Sequence, residues 1–357
     1  MVRSLLVGFA LIAVLVPQLA HAVEMKDLRK PDDAWFTSDE GKRILENILT
    51  WQNADGGWPK DYDYNKKKGE AGAESAWEGV STFDDYATYT ETRLMARAHT
   101  LTKEQKYREA FERAIAMVLK SQYPSGGWPQ RYPPPAPPDY GRFITFNDSA
   151  MARVVYLVRD VAEMDKEFAF VGDETRAKCR QAYDRAVDCI LKMQIKQNGK
   201  PAGWCAQHDP ETLAPAWGRT YEPPSINSSE GSEVVLLLME IENADERVRA
   251  AVDGAAAWFE RSKIPGKRME MRTGDGVPGG KDRVLVDDPS APPIWARFYD
   301  IETNEPIFMD RDGKRYPSMK DLPQERRVGY AWYSNNGNQV LEKYAQWKRR
   351  VGKTAGR

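Results

Sequence analysis

Cysteine and histidine are scarce in this 357-residue chain, three of each. Cys179, Cys189 and Cys205 cannot all pair, and ten helical residues would set the first two roughly 15 Å apart, so at most one disulfide is expected. Zinc-ligand spacing is missing as well, and so is any disulfide framework. Only His99 and His208 lie beyond residue 22, which leaves little material for a Ser-His-Asp or Cys-His mechanism. His99 falls on a helix of ordinary character, and His208, among aromatics and proline, is expected to be structural. Charge of one sign is lacking too: the net charge is −1, so the chain carries no electrostatic footprint for nucleic acid or an acidic membrane. An acidic ligand would have to be held by local arginines.

Long hydrophobic runs are confined to the start. Arg3, an apolar run from Leu5 to Val16 and Ala20-His21-Ala22 have the order of a secretory signal, and twelve apolar residues are too few to cross about 30 Å of hydrocarbon. Residues 1–22 are therefore expected to direct export to the periplasm or beyond, with no membrane attachment after their removal. Nothing in the middle reads as a linker, so residues 23–350 are expected to form one domain and a monomer, with 351–357 as a tail.

What the chain has in quantity is repetition. Apolar residues at Ile44, Ile48, Leu49 and Trp51 step as in a helix that ends at Gln52-Asn-Ala-Asp-Gly-Gly57-Trp58-Pro59-Lys60. The helix at 107–120 ends likewise at Gln122-Tyr-Pro-Ser-Gly-Gly127-Trp128-Pro129, and one at 179–195 ends at Gln197-Asn-Gly-Lys-Pro-Ala-Gly203-Trp204, a looser copy with one inserted residue. After the first two turns comes a shared opening: Thr82-Phe83-Asp84-Asp85-Tyr86-Ala87 and Thr145-Phe146-Asn147-Asp148-Ser149-Ala150 match over six positions. Ser225-Ile226-Asn227 is a degenerate third copy. Helix pairs recurring in this way read as an all-α toroid whose loops form a cleft at one end. Residues 263–320, rich in Gly, Pro and Asp, read as a long loop over that cleft, and a helix at 340–347 closes the ring.

Three groups of residues carry the chemistry. Asp84, Asp85 and Asp148 offer hard oxygen donors suited to Ca²⁺ if both turns face one cleft, although Thr82 with Asp85 and Thr145 with Asp148 also have capping-box spacing. Gly57 and Gly127 read as helix caps beneath packed tryptophans, with sugar stacking on Trp58 or Trp128 as the alternative. In residues 294–316, Arg297 and Arg311 sit fourteen apart among aromatic and acidic side chains, and Arg219 sits in Trp217-Gly-Arg219-Thr-Tyr221-Glu222. Guanidinium forks beside aromatic rings suit a sugar ring that carries carboxylates.

These motifs, the Gln-Asn-Ala-Asp-Gly-Gly-Trp-Pro-Lys turn, Thr82 to Thr92, Ile144 to Asp148, Lys200 to Ser225 and Trp295 to Gly313, together resemble the family 10 pectate lyases over roughly residues 35–347. The resemblance implies an (α/α)₃ toroid, an incomplete barrel of helix pairs with long irregular loops, that cleaves polygalacturonate by Ca²⁺-assisted anti-β-elimination. It places Asp84 and Asp148 around the calcium and the substrate carboxylate, and Asp85 where the family often has Asn, which adds a negative charge. Arg311 falls at the catalytic-base arginine, while Arg297 and Arg219 resemble the substrate-binding arginines. A base of this kind needs a guanidinium whose affinity for its proton is reduced, here by partial desolvation beside Arg297 and Ca²⁺, and activity that rises into alkaline pH.

Rival readings make different demands. An inverting glycoside hydrolase needs two carboxyls about 6.5–9.5 Å apart, for which Glu222 or Glu230 with Asp148 are available. A terpene cyclase shares Gln-x4-Gly-Trp turns but needs an Asp-x-Asp-Asp motif that this chain lacks. A non-catalytic pectin-binding protein would bind the polymer and release nothing.

Overall fold

The computed structural model describes residues 23–163 and 166–354. After a single helical turn at Met25–Leu28, its α-helices are α1 (Asp39–Trp51), α2 (Tyr89–Thr102), α3 (Gln105–Lys120), α4 (Ala150–Glu163), α5 (Asp173–Met193), α6 (Ser228–Met239), α7 (Glu246–Ser262), α8 (Gln324–Gly329) and α9 (Asn336–Thr354). Side-chain caps start two of them: Ser38 Oγ accepts from Gly41 N at 3.0 Å before α1, close to the predicted start at Thr37, and Asp245 accepts from Val248 N at 2.9 Å before α7. α1 then buries Ile44, Leu45, Ile48 and Trp51, one stripe at helical spacing.

α2 packs on α3, α4 on α5 and α6 on α7, while α2, α4 and α6 also touch in sequence, as do α3, α5 and α7. This is the all-α (α/α)₃ toroid, an incomplete barrel in which one helix of each pair lies inside and its partner outside. α6 reads Val234-Val235-Leu236-Leu237-Leu238 and is covered nearly all round, as an inner helix flanked by neighbours must be. α9 packs on α6 and α7 and runs well past the expected 340–347, because a helix extends beyond its apolar stripe wherever the flanking residues favour it; it takes up residues 351–354 of the expected tail.

The repeated turns are staples. Gln52 Nε2 donates at 2.8 Å to Gly56 O within its own turn and to Ala110 O of the next outer helix, and Gln122 does the same to Gly126 O and Ala182 O. The third staple is Gln194, not the Gln197 that sequence spacing selects: Gln194 donates to Ala202 O and Ala251 O, and the intervening residues form a small hairpin, Lys196–Gln197 with Lys200–Pro201. Trp58, Trp128 and Trp204 are wholly buried, each indole N–H bonded at 2.8 Å to a helix carbonyl (Ile48, Val118 and Ile190), which excludes sugar stacking on them. The capping expectation for Gly57 and Gly127 needs correction as well. Gly56 and Gly126 take the positive φ, at 107° and 104°, while Gly57 and Gly127 are small because a Cβ would strike Ser81 and Ile144.

Residues 263–320 are more ordered than a decorated loop. Lys267–Thr273 and Lys281–Asp287 pair antiparallel over seven residues as β1 and β2, and neither strand has the clean apolar face that would have announced it. Beyond the hairpin, Phe298, Phe308, Tyr330 and Trp332 form a second, smaller core with Tyr221. Cys179, Cys189 and Cys205 are buried and free. The expected signal at 1–22 lies outside the described residues, among which no helix is long and apolar enough to cross a membrane.

Candidate active site

The two matched openings adopt one backbone shape. Thr82 Oγ1 accepts from Asp84 N at 3.1 Å and Thr145 Oγ1 accepts from Asn147 N at 3.2 Å, each at the end of a two-residue strand. The next residues enter the left-handed region: Asp85 at φ 49°, ψ 35° and Tyr86 at φ 67°, then Asp148 at φ 49°, ψ 34° and Ser149 at φ 64°. Capping-box geometry is absent, because each Thr hydroxyl accepts from the residue two along and not from the aspartate three along. Left-handed residues other than glycine cost of order 1–3 kcal/mol each, so this paired conformation persists because surrounding bonds impose it.

The consequence is a cluster of three carboxylates, with oxygens of Asp84, Asp85 and Asp148 within 4.8 Å of one another. Lys60 lies among them, 2.5 Å from Asp84 Oδ2 and 2.8 Å from Asp85 Oδ2. Burial disfavours the Lys60 charge, but its bonds to the two aspartates outweigh that and raise its pKa. The Asp148 carboxyl is pushed up to about 6, first by burial and then by the charges of Asp84, Asp85 and Glu230. Asp84 Oδ1 is buried without a hydrogen-bond partner. Crowded carboxylates and an orphaned oxygen fit a hard divalent cation such as Ca²⁺.

Arg297 is joined to this cluster. Its Nη2 pairs with Glu230 and lies 3.4 Å from Asn147 Oδ1, and Asn147 in turn donates to Asp148. The strand Phe298–Tyr299 pairs with Ile226–Asn227, which fixes Arg297 beside the first turn of α6. Arg219 pairs with Glu222 at 2.5 Å, and Tyr330 donates to the same carboxylate at 2.8 Å. Burial opposes ionisation of Glu222, yet Arg219 holds its pKa below the usual carboxylate range. The Arg219 and Arg297 guanidinium groups both lie over Tyr330, at 5.7 and 4.8 Å from the ring centroid.

Arg311 stands apart. It is exposed, and its guanidinium forms a forked pair with Glu325 of α8 at 2.8 and 3.3 Å, 5.7 Å from the Tyr221 centroid. The bond to Glu325 raises its pKa, contrary to the desolvated, proton-shedding surroundings expected of it. Tyr221 and Tyr330 link it to the rest of the group through Arg219, with no direct bond to Asp84 or Asp148.

His208 is structural, as expected. Its Nδ1 bonds Leu213 O at 2.9 Å, its Nε2 accepts from Cys205 N, and burial pulls its pKa down to about 4. Lys60, Tyr330, Glu325 and the wholly buried Arg326, stacked 4.2 Å from the Tyr221 centroid, were not singled out by sequence. Lys60 alone left a signal, as the lysine that ends the first Trp-Pro turn where the second has Gln130.

The family model described as pectic acid lyase matches residues 52–341. The structure is similar to a family 10 polysaccharide lyase from Cellvibrio cellulosa, with TM-score 0.76 and 30% identity over 92% of this chain and 94% of that one. It is equally similar, at TM-score 0.76 and 30% identity over 90% and 94%, to an aspartate-to-alanine mutant of a Cellvibrio cellulosa family 10 lyase in complex with trigalacturonic acid. No curated protein matches significantly.

Proposed function

This chain belongs to the pectic acid lyase family, and from that membership and the geometry above we propose that it cleaves polygalacturonate by Ca²⁺-assisted anti-β-elimination, leaving 4,5-unsaturated oligogalacturonides. The enzyme is a pectate lyase acting on polygalacturonate. The observation that best supports the mechanism is the meeting of Asp84, Asp85 and Asp148 with Arg297, carboxylates for a cation beside a guanidinium for a carboxylate.

Ca²⁺ held by Asp84, Asp85 and Asp148 would supply positive charge at the uronate carboxylate, where negative charge develops as the neighbouring C5 proton leaves. Arg297 and Arg219 bind substrate carboxylates through their forks, and Glu230 and Glu222 hold those forks in place beforehand. Arg311, as the neutral guanidine, accepts the C5 proton, and the electrons of that C–H bond form the C4–C5 double bond as the C4 oxygen leaves with its bonding pair and takes a proton from water. To act as the base it must first leave Glu325, which an exposed ion pair permits at small cost, and lose its own proton to solvent, which ties activity to alkaline pH. Residues 1–22 suit export, which would bring the enzyme to its polymer in the periplasm or outside the cell.

A progress curve on polygalacturonate that follows ultraviolet absorbance, with Ca²⁺ and with EDTA, tests the reading. Absorbance should rise with Ca²⁺ and stop on chelation. New reducing ends without absorbance would mean hydrolysis, turnover in thorough chelation would remove the metal, and binding without product would leave a pectin-binding protein.

A further inference from the structure

A cavity of about 1160 Å³ lies between α2, α4, α6 and α9, inside the toroid. It meets a cleft of about 570 Å³ beside Lys60, Asp85 and Asp148 at two shared residues, Arg29 and Glu233. Eight cationic side chains and four carboxylates line this lumen. Three of the carboxylates are already engaged: Asp160 by Arg93 at 2.7 Å and Arg159 at 3.0 Å, Glu240 by Arg159 at 2.8 Å, and Glu167 by Arg93. Arg97 is matched by Asp33 at 2.6 Å, and Arg350 donates to Met239 O.

Four cations remain outside these pairs among the described residues, Arg29, Lys30, Arg153 and Lys343, against one further carboxylate, Glu233, which bonds Ser149 and whose charge Arg153 favours. Two of them converge. The Arg29 and Arg153 guanidinium groups lie 3.6 and 4.5 Å from the centroid of Tyr86, the residue after Asp85. Arg153 Nη2 also donates to the Tyr86 hydroxyl at 3.0 Å, and its Nε has no partner. Like charges gathered around one concave space focus a positive potential there and attract an anion. The space adjoins a cleft that handles a chain of carboxylated sugars, so the anion nearest to hand is a piece of that chain.

We propose that the lumen is a second anion site, which takes the carboxylates of the acidic oligosaccharide released from the cleft. Arg29 and Arg153, stacked on Tyr86, form its threshold, and Lys30 and Lys343 complete it. The proposal rests on the reading that the cleft cleaves a polyuronate. Its functional consequence is inhibition by accumulated product.

Calorimetry on the whole mature chain in EDTA, with trigalacturonic acid and separately with inorganic phosphate as probes, tests it without the metal. Trigalacturonic acid should bind wild type, bind about tenfold more weakly to Arg153→Gln and to the Lys30→Gln/Lys343→Gln double variant, and outcompete phosphate. The double variant alters two exposed lysines and so keeps the fold. With Ca²⁺ present it should keep the wild-type initial rate and lose product inhibition. Unchanged affinity in both variants would overturn the proposal, as would loss of binding in Arg219→Gln alone or equal affinity for phosphate and trigalacturonic acid. A wild type that forms no unsaturated product would defeat the cleavage reading instead, a result separate from binding in chelator.

Discussion

Lys60 sets its ammonium 2.5 Å from Asp84, on the same side as the Asp85 carboxylate it also binds, so the acidic site carries its own counter-charge. A lysine in that place stabilises two neighbouring carboxylates and competes with any cation for them. Both effects can be measured.

Lys60→Met should lower stability in EDTA by about 1–3 kcal/mol, because it leaves a mostly buried carboxylate unpaired. It should also enlarge the rise in melting temperature on adding Ca²⁺. A variant as stable as wild type in EDTA, with the same response to Ca²⁺, would mean that Lys60 plays no part in the charge balance of the site.

Asp148→Ala should raise the Ca²⁺ concentration needed for half-maximal activity, since it removes one of three candidate ligands while the turn keeps its Thr145 bond. Asp85→Asn should do so more weakly, because an amide oxygen still coordinates a hard cation. Calcium titrations of initial rate decide both. An unchanged requirement in Asp148→Ala would leave the carboxylates with a purely structural role.

Arg311→Ala should reduce kcat by about 10²–10⁴ with little change in KM, the pattern expected when a proton acceptor is lost. Glu325→Gln probes the same residue from the other side. The Glu325 bond holds the Arg311 proton more tightly, so its removal should move the alkaline rise of the pH–rate profile to lower pH. A near-wild-type rate in Arg311→Ala would take the residue out of the chemistry.

Glu91, inside α2, gives a pH prediction away from the proposed ligands. Tyr62 donates to its Oε1 at 3.0 Å, and burial, the largest influence, pushes its pKa up to about 7 despite that bond. A carboxyl whose folded pKa exceeds its unfolded value contributes stability below the unfolded pKa, and that contribution is lost as pH rises through the folded one. Denaturation midpoints should therefore fall between about pH 4.5 and 7, by up to about 3 kcal/mol of stability. Glu91→Gln, which mimics the protonated form, should flatten the fall, and a profile identical to wild type would assign the loss to other groups.

Much of this could be read in the residues. Helical spacing from Ile44 to Trp51 gave α1 because the apolar stripe is local and periodic. The matched Thr82 and Thr145 openings stood out because two copies of one backbone turn need the same side chains. The third Gln was misassigned because the insertion lies between staple and tryptophan, and spacing alone cannot choose between Gln194 and Gln197. The hairpin of β1 and β2 went unread because its strands are bonded to each other and offer little apolar alternation.

By itself the sequence determined the helix pairs, the buried tryptophans and the acid-rich turns, since each depends on neighbours a few residues away. Only the tertiary structure decided that Lys60 lies among the aspartates, that Glu230 and Glu222 orient Arg297 and Arg219, and that Glu325 holds Arg311. Charge interactions act through space over a few ångströms, and which charges lie that close is set by how the ring brings distant segments together.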